Sequence, residues 1–445
     1  MIDSPGKTAS PELPAQRDAS SGRVLSIDIL RGLAILWVMA FHLYADMTYH
    51  IPQAWLLYPA FRDRVGEGNP LAALTALGEL ILGQGYMGVT VFMILSGLSL
   101  TMNASRRPEP PILTAYAARF RRLIVPYWGG VLLFVATIAV IALLQMWRHG
   151  GSFMDQWWQV RIAVIQPVRV AWDDVAWALT VMPWLFREKQ ATVPVGSLWF
   201  VELLLQYYLI FPFALVVLRK VGPWKFAVGA IAFSLVARAV FIIVARETMA
   251  SYNLARYLES LAPFRGSEFL IGMSLGYLLV HGREQMAEWV RSPVDVAGLV
   301  VIGVLLIMGA TVLGPKADVF LTSSEIMLHL GLAALMLPLL FKAPGRLEVS
   351  LPARALVFLG VVSFTALIID DQMRYVNSFL RLEGLSGPPF WFFLWVVYIP
   401  VGTLLAYPLA RLFGLLPQQR AKAASKLTAA ADSPPAMDLQ PAGGG

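Results

Sequence analysis

The chain has 445 residues, 58% of them hydrophobic and only 14% charged, with a mean hydropathy of +0.65. That balance excludes an ordinary soluble globular protein and points to a polytopic membrane protein built from helices, an all-α transmembrane bundle. The net charge of +7 is spread over short connections and predicts no nucleic-acid partner, while the absence of cysteine excludes disulfides, thiolate nucleophiles and cysteine-bound metals.

Residues 1–25 are polar and rich in Pro and Ser, and are read as a disordered N-terminal segment. No small-residue cleavage site follows the first apolar run, so that run is expected to stay as an anchor. The first predicted span, Ser26 to Asp46, keeps Asp28, Arg31, His42 and Asp46 in an otherwise apolar stretch, at a free-energy cost that calls for a role. Eleven residues at 100° each place Arg31 and His42 on one helix face within roughly 20°, about 16 Å apart along the axis. Asp28 and Asp46 share that face, one turn outside each of them. A cation stands at the mouth of the span and a titratable base lies within it. Asp46 either orients the His42 ring or caps the span at the interface.

Further spans are read near Leu77–Met102, Leu123–Trp147, Leu198–Leu218, Phe226–Ala245, Ser267–Val280, Val294–Leu313, Ser324–Phe341, Ala355–Asp370 and Phe390–Leu412, giving ten within residues 26–414. The sixth is interrupted at its start by Arg265 and Glu268. No fixed-period or inverted repeat is visible. Lys and Arg are in excess on the connections that share a side with the N-terminus, which predicts both termini to be cytoplasmic and the protein to be multi-pass in the plasma (inner) membrane. The long connection 148–196 then faces outward. With the residues flanking it, it holds half of the chain's 14 tryptophans, as helices lying on the outer surface would, or as an aromatic wall for a sugar or lipid acceptor. Residues 415–445 are read as a disordered cytoplasmic tail.

Three arginines, Arg119, Arg121 and Arg122, precede the third span. They are either orientation signals or a dock for phosphates, which guanidinium groups bind in pairs. Glu202 and Gln206 sit one turn apart in the fourth span, as site residues or as interhelical hydrogen-bonding groups. Ser96 is expected to bond its own helix rather than react. Arg265 and Glu268, three apart, are expected to neutralise each other near the outer interface. The histidines outside the first span lack metal-ligand spacing, and no metal site is expected.

The segment LRGLAILWVMAFH resembles the opening motif of the acyltransferase 3 family of integral-membrane O-acyltransferases, in which ten residues separate an arginine from a histidine. Further similar segments follow in the family's order: GYMGVTVFMILSG, RFRRLIVPYW, SLWFVELLLQYYLIFP, FRGSEFLIGMSLGY and FLGVVSFTALIID. The resemblance covers nearly all of the chain from Ser26 to Leu412. It implies transfer of an acyl group from cytoplasmic acetyl-CoA or another acyl-CoA to a hydroxyl of an extracytoplasmic acceptor, such as an envelope polysaccharide or a glycolipid. It makes His42 the catalytic histidine, Arg31 a donor-site residue, Arg119, Arg121 and Arg122 contacts for the coenzyme phosphates, and Glu202 a substrate-site candidate. A neutral imidazole suits the removal of a hydroxyl proton, by direct transfer or through an acyl-histidine. The last motif departs from the family: Asp370 stands where it usually ends in histidine, either to bind a hydroxyl or to mark the end of a span. A transporter and a catalytically silent scaffold of the same fold are the competing readings, and thioester consumption separates the enzyme from both.

Overall fold

A computed structural model describes residues 25–48, 61–106, 112–159, 172–181, 197–245, 258, 260–313, 318–341, 350–380, 382 and 384–416. Most of the two predicted tails, and parts of the long outward connection, lie outside those residues. In chain order the helices are α1 (Leu25–Thr48), α2 (Pro70–Leu82), α3 (Met87–Arg106), α4 (Ile112–His149), α5 (Phe153–Gln159), α6 (Trp172–Leu179), α7 (Trp199–Val221), α8 (Pro223–Ala245), α9 (Ala262–His281), α10 (Arg283–Glu288), α11 (Pro293–Leu313), α12 (Asp318–Phe341), α13 (Leu351–Phe379), α14 (Gly387–Phe392) and α15 (Ile399–Leu412). A π-helical segment, Phe393–Tyr398, joins the last two. The described residues contain no strand.

Nine of these helical stretches are long and apolar enough to cross a membrane. The predicted sixth span, α9, is a 20-residue helix that falls short on composition because it carries Arg265 and Glu268, yet both side chains are buried among its neighbours. The second span, read as Leu77–Met102 and rich enough in glycine to allow a broken helix, is two helices, α2 and α3, separated by the turn Gly83–Tyr86. Hydropathy does not register such a break, since Gly83 and Gly85 are neutral on an apolar scale. Asn69 starts α2 by accepting from the amides of Leu71 and Ala72, with Pro70 in the first turn where its missing N–H costs nothing.

Burial separates core from periphery. The span windows of α1, α3 and α7 are 61–67% buried, whereas that of α11 is 11% buried and leaves Val294, Val301 and Leu305 to the lipid. Glycines set the close pairings at the centre. A methyl added to Gly32 would strike the Leu356 carbonyl, and one on Gly360 would strike the Asp28 carbonyl. Thus α1 and α13 run parallel in fixed register, with residue i of one beside residue i+328 of the other. The pair α3–α9 repeats the device, with Gly272 against Ile94 and Gly276 against Leu98.

At the far end of α4, α5 and α6 form short helices on the side where α1 ends. Trp157 is buried there and stacks on Trp172, ring centroids 4.7 Å apart. Ser152 hydrogen-bonds the Asp155 carboxyl at the start of α5 and holds it below its usual pKa. Tyr127 and Trp128 of α4 donate to the carbonyls of Ala178 and Leu179 and tie down α6.

Candidate functional site

The register of α1 against α13 builds the site. Ten residues beyond the Gly32–Gly360 contact, His42 and Asp370 meet, with Nδ1 and Oδ2 2.5 Å apart. Four residues further, one turn, Arg374 donates from Nε and Nη2 to the two oxygens of Asp46, at 2.7 and 2.8 Å. Asp370 is fully buried. Its other oxygen accepts from the hydroxyl of Tyr398 at 2.8 Å, placed at the end of the π-helical segment. There Pro400 has no N–H for the Val396 carbonyl, and the helical ladder widens just before it. Asp371, also buried, accepts from the backbone and hydroxyl of Ser197 at 3.1 and 2.5 Å, and lies 3.7 Å from Arg374. The carboxylates are therefore held from α1, α13, the start of α7 and the last helical stretch together.

For each of two residues this removes one of the two readings left open. Asp46 does not orient the His42 ring, because the bidentate grip of Arg374 occupies both of its oxygens. Asp370 does not mark the end of a span: α13 runs on to Phe379, and the carboxylate sits inside the bundle on His42.

Arg31 lies at the other end of the same face of α1. It donates to Ser99 Oγ at 3.0 Å and stands 4.0 Å from Asp28. Both line a cavity of about 480 Å³, with Arg106, Arg122 and Asn103 among its polar walls and Phe92, Met93, Phe200, Phe364 and Leu367 among its apolar ones. The charged residues and Asn103 belong to the start of α1, the end of α3 and the segment of α4 that follows the connection, so they crowd one side of the bundle, while Ser96, Tyr208, Ser363 and Thr365 add hydroxyls along the rest of the wall. His42 is not part of the cavity wall. It lies beyond the apolar end, since Leu367 precedes Asp370 by one turn, about 4.5 Å along α13.

Of the three arginines singled out by sequence, only Arg122 lines the cavity. The Arg119 guanidinium packs over the ring of Phe211 at 4.7 Å, and Arg121 is exposed. Arg106, which in the sequence counted only among the basic residues that set orientation, also joins the cavity wall. Glu202 is buried and accepts from Tyr127 Oη at 3.2 Å, away from the cavity. Gln206 bonds the Ser260 carbonyl and the Ala262 amide, which anchors the start of α9. Ser96 donates to the Phe92 carbonyl of its own helix.

A second buried polar cluster lies between α3, α7, α8, α9 and α12. Arg265 donates twice to Glu268, each bond 2.9 Å, and once to Thr90 at 2.9 Å. His329 contacts Ser267 Oγ through Nδ1 at 2.8 Å, and its Nε2 faces Glu268 at 3.4 Å and Glu325 at 3.5 Å. The Arg265–Glu268 pair expected at the outer interface is thus buried between helices. No metal-binding group of three or more His, Cys, Asp or Glu occurs among the described residues.

A family model described as an acyltransferase domain matches residues 24–411. No curated protein and no solved structure matches the chain.

Proposed function

The chain belongs to the acyltransferase 3 family and is a multi-pass membrane acyltransferase for groups other than amino-acyl groups; we propose that it moves an acyl group, acetyl in the simplest case, from acyl-CoA to a hydroxyl of an extracytoplasmic glycan or glycolipid. The observation that carries this reading is the His42–Asp370 pair, closed on its far side by Tyr398 and set at the apolar end of an arginine-lined cavity. The excess of Lys and Arg on the side of the cavity mouth supports reading that side as cytoplasmic.

In this mechanism the Nδ1–H of His42 donates a hydrogen bond to Asp370, which fixes the tautomer and leaves Nε2 free to take a proton. The acceptor hydroxyl loses its proton to Nε2 as its oxygen attacks the thioester carbonyl. The carbon–sulfur bond then breaks, and the departing sulfur takes the proton from Nε2, so ester and free thiol form with no net proton change. Asp370 offsets the charge of the transient imidazolium. Arg374, Asp46, Asp371 and Ser197 hold the carboxylates without touching substrate. Arg31, Arg106 and Arg122 receive the phosphates of the donor at the mouth. Glu202 and Arg119 act through packing on this reading, and Arg121 has no part in donor binding.

The test is turnover of labelled acetyl-CoA by the purified protein in lipid, with candidate acceptor extracts, beside His42→Ala. Label transfer lost in His42→Ala, in a protein that stays inserted and folded, is expected. Wild-type transfer in that variant would rule the mechanism out.

A further inference from the structure

Between the arginines of the cavity and the His42–Asp370 pair stands an arc of three phenylalanines from three helices. Phe200 of α7 packs on Phe92 of α3, centroids 6.5 Å apart, and edge-on against Phe364 of α13 at 5.9 Å. All three line the cavity. Phe92 and Phe364 are only partly buried although they belong to central helices, and the cavity is where they are open. On α13, Phe364 precedes Asp370 by six residues, about 9 Å. Phe200 follows by three residues the Ser197 that holds Asp371. Any group that enters past Arg31 and Arg122 to reach His42 must slide along these rings.

We propose that Phe92, Phe200 and Phe364 select the donor's acyl group, admitting small uncharged acyls and rejecting anionic and branched ones. The inference rests on the proposed donor reading, since it concerns the leading end of an acyl-CoA held by the arginines. The leading end is the acyl group itself. A dicarboxylic acyl such as succinyl carries a carboxylate past three ring faces that offer it no counter-charge, where the nearby hydroxyls of Ser96 and Thr365 are already given to backbone carbonyls, so its lost hydration is poorly replaced. A branched acyl such as isobutyryl adds volume against rings already packed on one another from three helices, and the rings must shift. Acetyl meets neither obstacle. Once past Phe364 the acyl carbon has about 9 Å, a little under two helical turns, before it reaches the level of His42, and the groups beyond are the paired charges of Asp370 and Asp371.

The experiment uses the full chain in lipid and two readouts. Thioester cleavage is followed with acetyl-, isobutyryl- and succinyl-CoA, and binding is followed with the non-cleavable thioether analogues of the same three. Proteins are the wild type, Phe364→Leu and Phe364→Ala. The wild type is expected to favour acetyl over isobutyryl and over succinyl by roughly tenfold or more, the range in which apolar pockets discriminate small groups. Phe364→Ala is expected to close the isobutyryl gap by about tenfold, with Phe364→Leu between. Equal use of succinyl and acetyl by the wild type would overturn the proposal. So would unchanged acyl preference in both variants with the coenzyme analogues still bound, and the donor reading would then survive alone. Failure of every coenzyme A compound to bind any of the three proteins would sink the donor reading and the selection with it.

Discussion

Asp370→Asn separates a positioning carboxylate from one that merely fills space. Asparagine has nearly the same shape, its oxygen can still accept from His42 Nδ1, and its amide can donate to Tyr398, whose hydroxyl turns to accept. The fold should therefore survive. What is lost is the charge 2.5 Å from the imidazole. Two unit charges about 4 Å apart interact by about 4 kcal/mol at an effective dielectric of about 20. His42 is partly exposed, which screens some of that, and about 3 kcal/mol is a fair expectation for the loss in the imidazolium-bearing transition state. At 1.36 kcal/mol per decade this is about a hundredfold in kcat. The donor KM should hardly move, because Arg31, Arg106 and Arg122 lie at the opposite end of the cavity. Acetyl-CoA turnover over a donor concentration series, with thermal unfolding in the same lipid, reads both quantities. A kcat within threefold of wild type in a folded Asp370→Asn protein would refute the reasoning. A rise in donor KM with kcat intact would move Asp370 from the reacting end of the cavity to its binding end.

Arg122→Gln should raise the donor KM about tenfold or more, the worth of a charged hydrogen bond, while Arg121→Gln leaves it alone; equal effects on KM would return the arginines to orientation signals. Gly360→Ala should part α1 from α13, because its methyl falls on the Asp28 carbonyl, and so cost turnover by tenfold or more, whereas Gly298→Ala, with open space around it, should do nothing. Activity retained in Gly360→Ala would show that the register is not fixed there. Glu268→Ala removes both charged hydrogen bonds of the buried Arg265, leaving it Thr90 and the more distant Glu325, and should lower stability by about 3 kcal/mol, read as a lower unfolding temperature in lipid; a change under about 1 kcal/mol would mean the cluster is solvated.

The two groups on α1 were legible because helical periodicity is local: eleven residues suffice to put Arg31 and His42 on one face. Most spans were legible for the same reason, since twenty apolar residues advertise themselves. The partner of His42 was not, because nothing local connects residue 42 to residue 370. That contact depends on how two helices slide against each other, which the glycines at 32 and 360, packed against backbone, and the Asp46–Arg374 pair fix together. Asp46, one turn from His42 in sequence, was open to two readings, orienting the ring or capping the span; Arg374, from another helix, holds it in a bidentate grip instead. Arg106 was hidden among the polar residues that end a span, and gained meaning only when α3, α4 and α1 closed round one cavity. Arg265 and Glu268 were legible as a pair but not as a buried one, since Thr90, Tyr207 and His329 come from three other helices.

The departure at Asp370 acquires a physical reading from the same register. In the parallel pair α1–α13, Asp370 faces His42 Nδ1, and on the proposed mechanism position 370 supplies the group that orients the imidazole. A histidine there could supply a neutral acceptor nitrogen; aspartate supplies a charged one, and a buried charge is tolerated only with its hydrogen bonds filled. Tyr398 fills the second oxygen, and Arg374 lies one turn away to offset the paired carboxylates. The substitution at one position thus needs the others, which is why Tyr398→Phe should weaken a chain carrying Asp370 and should matter less in the Asp370→His variant. Equal loss of activity in the two backgrounds would show that the tyrosine serves something other than this carboxylate.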